Sequence, residues 1–204
     1  MIFRLAVAGA VAAMHVSAQD PTQTLPQAYR VQFENDYVRV VRVRYEAGAQ
    51  LPEHTHPPGT TVYVYLNDSD GVVFRHSGRS NRAVTRPAVV SGSVRVASGQ
   101  EEHHTAENPA STPTDFLRVL LKTESTGGRT MRRLSLADRA FENKQLKITR
   151  LTAGAGKTVI SATDTHPALL IALPSGETRW LEPRHQQTLD AGEYLQIDLL
   201  TPPR

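Results

Sequence analysis

Apolar residues recur along this chain at every second position, in short runs separated by Gly, Pro, Asn and Asp. Between Tyr37 and Tyr45 the order Tyr-Val-Arg-Val-Val-Arg-Val-Arg-Tyr alternates apolar residues with arginines. Val40-Val41 slips that phase by one, which predicts a strand carrying a bulge. The same texture returns in Val62 to Leu66, Val72 to Phe74, Val89-Val90, Ser93 to Val96, Phe116 to Leu121, Leu146 to Leu151, Leu169 to Leu173 and Tyr194 to Leu200. Many short strands and few helices predict an all-β molecule, a sandwich or a barrel. One helical turn is expected over Leu134 to Phe141, with Ser135 as N-cap and Asp138 three residues on.

The pattern also repeats. Phe33-Glu34-Asn35 returns as Phe141-Glu142-Asn143. The residues after each triplet align without a gap, pairing Val38-Arg39-Val40 with Leu146-Lys147-Ile148, Arg42-Val43 with Arg150-Leu151 and Ala47-Gly48 with Ala155-Gly156. A small gap then brings His54-Thr55-His56-Pro57 onto Asp164-Thr165-His166-Pro167, and His104 falls opposite His185. The repeat implies two similar domains, over residues 29–122 and 134–204, joined by a linker at 123–133 whose Ser125-Thr126-Gly127-Gly128 has a flexible composition.

Residues 1–18 stand apart from both. A lone Arg4, the apolar run Leu5 to Met14 and the small residues of Val16-Ser17-Ala18 have the layout of a cleaved secretory signal. The run is too short to span a bilayer, so the mature chain is expected to be secreted or periplasmic and free of membrane. Export permits disulfides, but the sequence has no cysteine, which excludes thiolate ligands and iron–sulfur clusters. The net charge of +3 comes from scattered arginines without a basic run, which speaks against nucleic-acid binding.

Candidate chemistry centres on His54-Thr55-His56. Two imidazoles at i and i+2 leave the same face of an extended strand, and can therefore share one metal ion. A third ligand is needed, and His103-His104 offers two candidates, of which normally only one can face inward. The interval to Asn108 favours His104, while Gly99 stands at a distance that fits His103 better. If the three rings hold one ion, their nitrogens must lie within about 7 Å of one another. Without Cys, the metal is one that accepts imidazole, carboxylate or water, such as Fe, Zn, Mn or Ni. Tyr63 and Tyr65, on the next apolar run, are candidate catalytic residues that could orient a substrate or serve as an acid. Asp164, His166 and His185 form a subtler second set of two imidazoles and a carboxylate. Glu46 and Glu53 could accept from ligand imidazoles, His76 could line a barrel mouth, and Trp180 is read as a core or domain-interface residue.

Taken together, Gly48, His54, His56 and Gly71, followed by Gly99, His104 and Asn108, resemble the two motifs of the cupin superfamily. That resemblance implies two cupin barrels in tandem, each a double-stranded β-helix or jelly roll, with the second degenerate. Two departures are visible. Thr60 and Thr61 occupy the place of the usual glutamate ligand, and Ala97 stands where the family has proline. Cupins lacking that glutamate include three-histidine iron dioxygenases, so the resemblance implies an exported metal-dependent enzyme acting on a small molecule, by oxygenase or isomerase chemistry. A non-catalytic module is the alternative, one that holds metal or captures a carboxylate or sugar acid through inward arginines. A homodimer paired through an edge strand is compatible with either.

Overall fold

The computed structural model describes residues 20–77, 81–126, 131–156 and 158–204. The expected secretory signal, and Gly127-Gly128 of the expected linker, lie outside the described residues. No helix among the described residues is long and apolar enough to cross a membrane.

The first half opens with a helical turn, α1 (Pro21–Thr24), capped by Asp20. Ten strands come after it: β1 (Tyr29–Glu34), β2 (Val38–Tyr45), β3 (Gln50–His56), β4 (Gly59–Tyr65), β5 (Val72–His76), β6 (Arg82–Arg86), β7 (Val94–Gly99), β8 (Glu102–Glu107), β9 (Thr114–Leu121) and β10 (Met131–Leu134). They form two antiparallel sheets, one in the order β1-β2-β9-β4-β7-β10 and one in the order β3-β8-β5-β6. The second half contributes β11 (Ala140–Glu142), β12 (Leu146–Ala153), β13 (Thr158–Ser161), β14 (Ala168–Leu173), β15 (Thr178–Leu181), β16 (Gln186–Leu189) and β17 (Gly192–Leu199). Its sheets run β11-β12-β17-β14-β15 and β13-β16. The orders correspond strand for strand, except that β5, β6 and β10 have no counterpart among the described residues. The repeat is also visible at its turns. Asn35 Oδ1 accepts from the Tyr37 and Val38 amides, and Asn143 Oδ1 accepts from those of Gln145 and Leu146.

The large sheet of the first half is apolar on both faces. Val41, Val43, Tyr45 and Phe116 face the small sheet and build the barrel interior. Val38, Val40, Val62, Val64, Val96, Leu117 and Val119 face the other way and share one core with Leu146, Ile148, Leu169, Ile171, Leu195 and Ile197 of the second half. This explains Val40-Val41 without a slip. The β2–β9 register is continuous, and the two valines lie on opposite faces, each over a different core. The bulge is on β1 instead, between Val31 and Phe33.

Two further expectations are corrected. Residues 131–134, assigned to the end of the linker and the start of the second domain, form an edge strand against β7 of the first. Leu134 to Phe141 is not helical among the described residues. Asp138 does accept from the Ser135 amide and hydroxyl, as in a helix cap, but the bonds close a turn that runs straight into β11. Trp180 is an interface residue, with its ring 6.1 Å from Phe33 and 5.4 Å from Tyr37.

Candidate metal centre

Local strand geometry brings the three histidines together. The β3–β8 ladder pairs Leu51 with Ala106, then takes an extra residue on β3 before pairing His54 with His104. Pro52 lies in that interval and cannot donate to a ladder, which suits a bulge. Without the extra residue His54 would face His103. With it, His54 and His56 turn into the barrel beside His104, and all three are buried. His103 points outward, its Nδ1 2.9 Å from Thr55 Oγ1.

One potential ligand atom from each of His54, His56 and His104 lies within 4.8 Å of the others. Ligands about 2.1 Å from one ion stand no more than about 4.2 Å apart, so small side-chain adjustments complete a coordination triangle. The donor chemistry fits a metal. His54 Nδ1 is 2.8 Å from the Pro52 carbonyl, which can only accept, so the proton sits on Nδ1 and Nε2 keeps its lone pair. That lone pair accepts from the Tyr29 hydroxyl at 2.7 Å, and Tyr29 is itself 2.6 Å from Tyr45 Oη. Both ring nitrogens of His104 are buried without a partner. Burial holds the three rings neutral: it lowers His54, takes His56 well below the usual imidazole range, and with His54 and His76 nearby pulls His104 down to about 3.

The rings of His56 and His104 open onto a cavity inside the first barrel. Tyr63 and Tyr65 line it, their rings tilted against Phe116, so both candidate catalytic tyrosines face the same space as the histidines. Thr61 shares their face of β4. Thr60 faces the second half instead, donating to Gln145 Oε1 at 2.7 Å.

Other candidates do not gather. Asp164 and His166 fall past the end of β13, Asp164 and His185 are exposed, and the carboxylate of Asp164 sits 4.0 Å from Arg184. Among the described residues, His54, His56 and His104 are the one set of three or more ligand-type side chains so placed. Glu46 pairs with Arg44, and Glu53 accepts from the Ser77 hydroxyl, so neither supports a histidine ring. His76 is half-buried, its ring 5.3 Å from that of His104.

Sequence reasoning overlooked Tyr29 and three arginines. Arg86, Arg95 and Arg118 all line the cavity. The signal was present: Arg95 and Arg118 each interrupt an otherwise apolar strand, and an arginine there faces a core unless the strand is an edge.

No family model matches the chain, and no curated protein matches it at a significant level. Solved structures do. YhhW from Escherichia coli aligns over 86% of this chain and 90% of its own at 14% identity, with a TM-score of 0.57. The same protein, described as a bacterial pirin in complex with nickel(II), aligns over 86% and 91% at 15% identity and a TM-score of 0.55. YhaK, also from Escherichia coli, aligns over 90% of this chain and 99% of its own at 15% identity, with a TM-score of 0.51. The fold is that of the cupins. Within this cupin barrel the three histidines sit on the strands that carry the sequence motifs, and Asn108 holds the loop beyond them. Its amide donates to the carbonyls of Tyr45, Glu46 and Thr112.

Proposed function

We propose that the protein is an exported cupin that holds one divalent transition metal on His54, His56 and His104 and acts on a small molecule in the adjoining cavity, as a three-histidine oxygenase does. The observation that carries this reading is the convergence of three buried, neutral imidazoles, two of them at the wall of a cavity. Export is supported by the composition of residues 1–18, and Fe, Zn, Mn and Ni all suit an all-imidazole set. The nickel(II) complex of YhhW is a precedent within the fold.

When bound, the metal supplies a Lewis-acid or dioxygen site with open positions. The chain's own residues do the rest. Coordination through His54 Nε2 requires the Tyr29 hydroxyl to turn to another acceptor, and the Tyr29–Tyr45 pair then offers a proton-donating group beside the site. Tyr63 and Tyr65 present ring faces and hydroxyls to whatever enters, and Phe74 and Phe116 keep the wall dry.

Elemental analysis of protein purified without a histidine tag tests this. About one equivalent of metal is expected, lost in His56→Ala and His104→Ala, since two imidazoles hold a divalent ion poorly. Substoichiometric metal, with content and melting temperature unchanged in His56→Ala, overturns the proposal.

A further inference from the structure

The cavity wall carries more positive than negative charge. Arg95 and Arg118 are 5% and 7% exposed, and the Nε of each is buried without a hydrogen-bond partner. Arg95 lies flat over the Tyr63 ring, 3.8 Å from its centroid, and Arg86 lies 5.2 Å from the centroid of Phe74. Burial, with Arg95 beside it, pulls Arg86 below the usual guanidinium range. The acids at the wall are Asp70, which is exposed, and Glu102, which is half-buried. Neither is within ion-pair distance of any of the three arginines among the described residues. By contrast, Arg42 pairs with Asp115, Arg39 with Asp20 and Arg44 with Glu46. Two buried guanidiniums with an unpartnered Nε and a half-buried third in one cavity cost stability, unless a ligand supplies acceptors.

We infer that the cavity takes a small organic dianion, a dicarboxylate, whose two carboxylates are held by Arg86, Arg95 and Arg118. This rests on the cavity being the working space of the proposed metal centre. The charge of the ligand follows from the wall. It carries three guanidiniums, and of its two acids Asp70 is exposed and Glu102 half-buried. That excess of positive charge calls for two anionic groups placed among the arginines. The walls between them are carbon: Val43, Val72, Phe74, Tyr63 and Phe116. An inorganic anion would satisfy the arginines and leave those walls unfilled, and a monoacid would leave part of the positive charge unbalanced. A guanidinium can bond each carboxylate in bidentate fashion, which is why arginine suits this ligand.

Isothermal titration calorimetry with succinate, glutarate and phthalate tests the inference, with their monomethyl esters, neutral diamides and inorganic phosphate as controls. A dicarboxylate is expected to bind at least about tenfold more tightly than its monoester, and the diamide not to bind, because each lost carboxylate leaves a guanidinium unpaired. Arg118→Gln and Arg95→Gln should each weaken the dicarboxylate about tenfold while melting no lower than the parent, since both remove an unpaired buried charge. Equal binding of the diamide or of phosphate overturns the inference, as does dicarboxylate affinity unchanged in both variants. Nickel(II) titration of the parent protein separates the two readings. Metal binding without dicarboxylate selectivity sinks this inference alone, and arginine-dependent dicarboxylate binding without metal sinks the metal reading alone.

Discussion

His104 shows how position decides chemistry for a single residue. On β8 it alternates with His103, yet one imidazole is buried with both nitrogens unsatisfied while the other is half-exposed and bonded to Thr55. A buried imidazole with a depressed pKa has a definite consequence for stability. The folded protein protonates His104 only near pH 3, whereas the unfolded chain does so near 6.5. Between those values the unfolded state binds more protons, so stability is full above pH 6.5 and falls as pH drops toward 3. His54 and His56 shift in the same direction and add to the slope. Chelator-treated protein should therefore lose melting temperature steadily as the buffer is taken from pH 7 to pH 4, and His104→Gln should flatten the loss. A melting temperature that stays level across that interval in the parent protein would contradict the assignment of these rings as buried and neutral.

At the scale of elements, most strands were legible because alternation is a property of the strand itself. The short insertions were not, because they depend on partners. The sequence at Val40-Val41 looks like a slipped phase, but nothing local says that the sheet is covered on both sides. Conversely, the real irregularity at Pro52-Glu53 leaves no break in alternation, and it decides which of His103 and His104 meets His54. The three converging histidines were readable from motif spacing, whereas placing the arginines needed the strand order as well, since a lone Arg in an apolar strand has the same composition at a wet edge as in a cavity. Asn108 is an element-scale device as well. It is fully buried at the exit of β8 and donates to three carbonyls from the loops after β2 and before β9. Asn108→Ala leaves those carbonyls short of donors and should cost about 2–4 kcal/mol. Urea denaturation checks this. A loss below about 0.5 kcal/mol, the range of ordinary surface changes, would show that the loops hold themselves.

For the whole molecule, the two halves share a strand order but are built unequally. The first half has a four-stranded small sheet and a cavity, while the second has, among the described residues, β13 and β16 beside its large sheet. Its interior, built on Ala153, Ala162, Ala168, Leu170, Leu181 and Leu189, is a small packed core. What the second half contributes is its outer face. Leu146, Ile148, Leu169, Ile171, Leu195 and Ile197 cover the back of the sheet whose front carries Tyr63, Tyr65, Arg95 and Arg118. Polar contacts tie the same seam. Gln145 bridges Thr60 and Thr123, Arg42 donates to the Ser175 carbonyl, and Arg150 donates to that of Gly92. Gly176, at φ +75°, packs so closely on Leu66 that a side chain there would meet its Cδ1 at 2.6 Å. A shared apolar core of this kind couples the halves, because separating them exposes the apolar faces of both large sheets at about 25 cal/mol per Å². The intact protein should thus unfold in one calorimetric transition, its van't Hoff and calorimetric enthalpies agreeing. A fragment ending at Glu124 should expose Val62, Val64, Leu117 and Val119 and aggregate or bind a hydrophobic dye. Two resolved transitions in the intact chain, with a soluble and dye-silent fragment, would mean that the second half is an independent domain and that the site's scaffold does not depend on it.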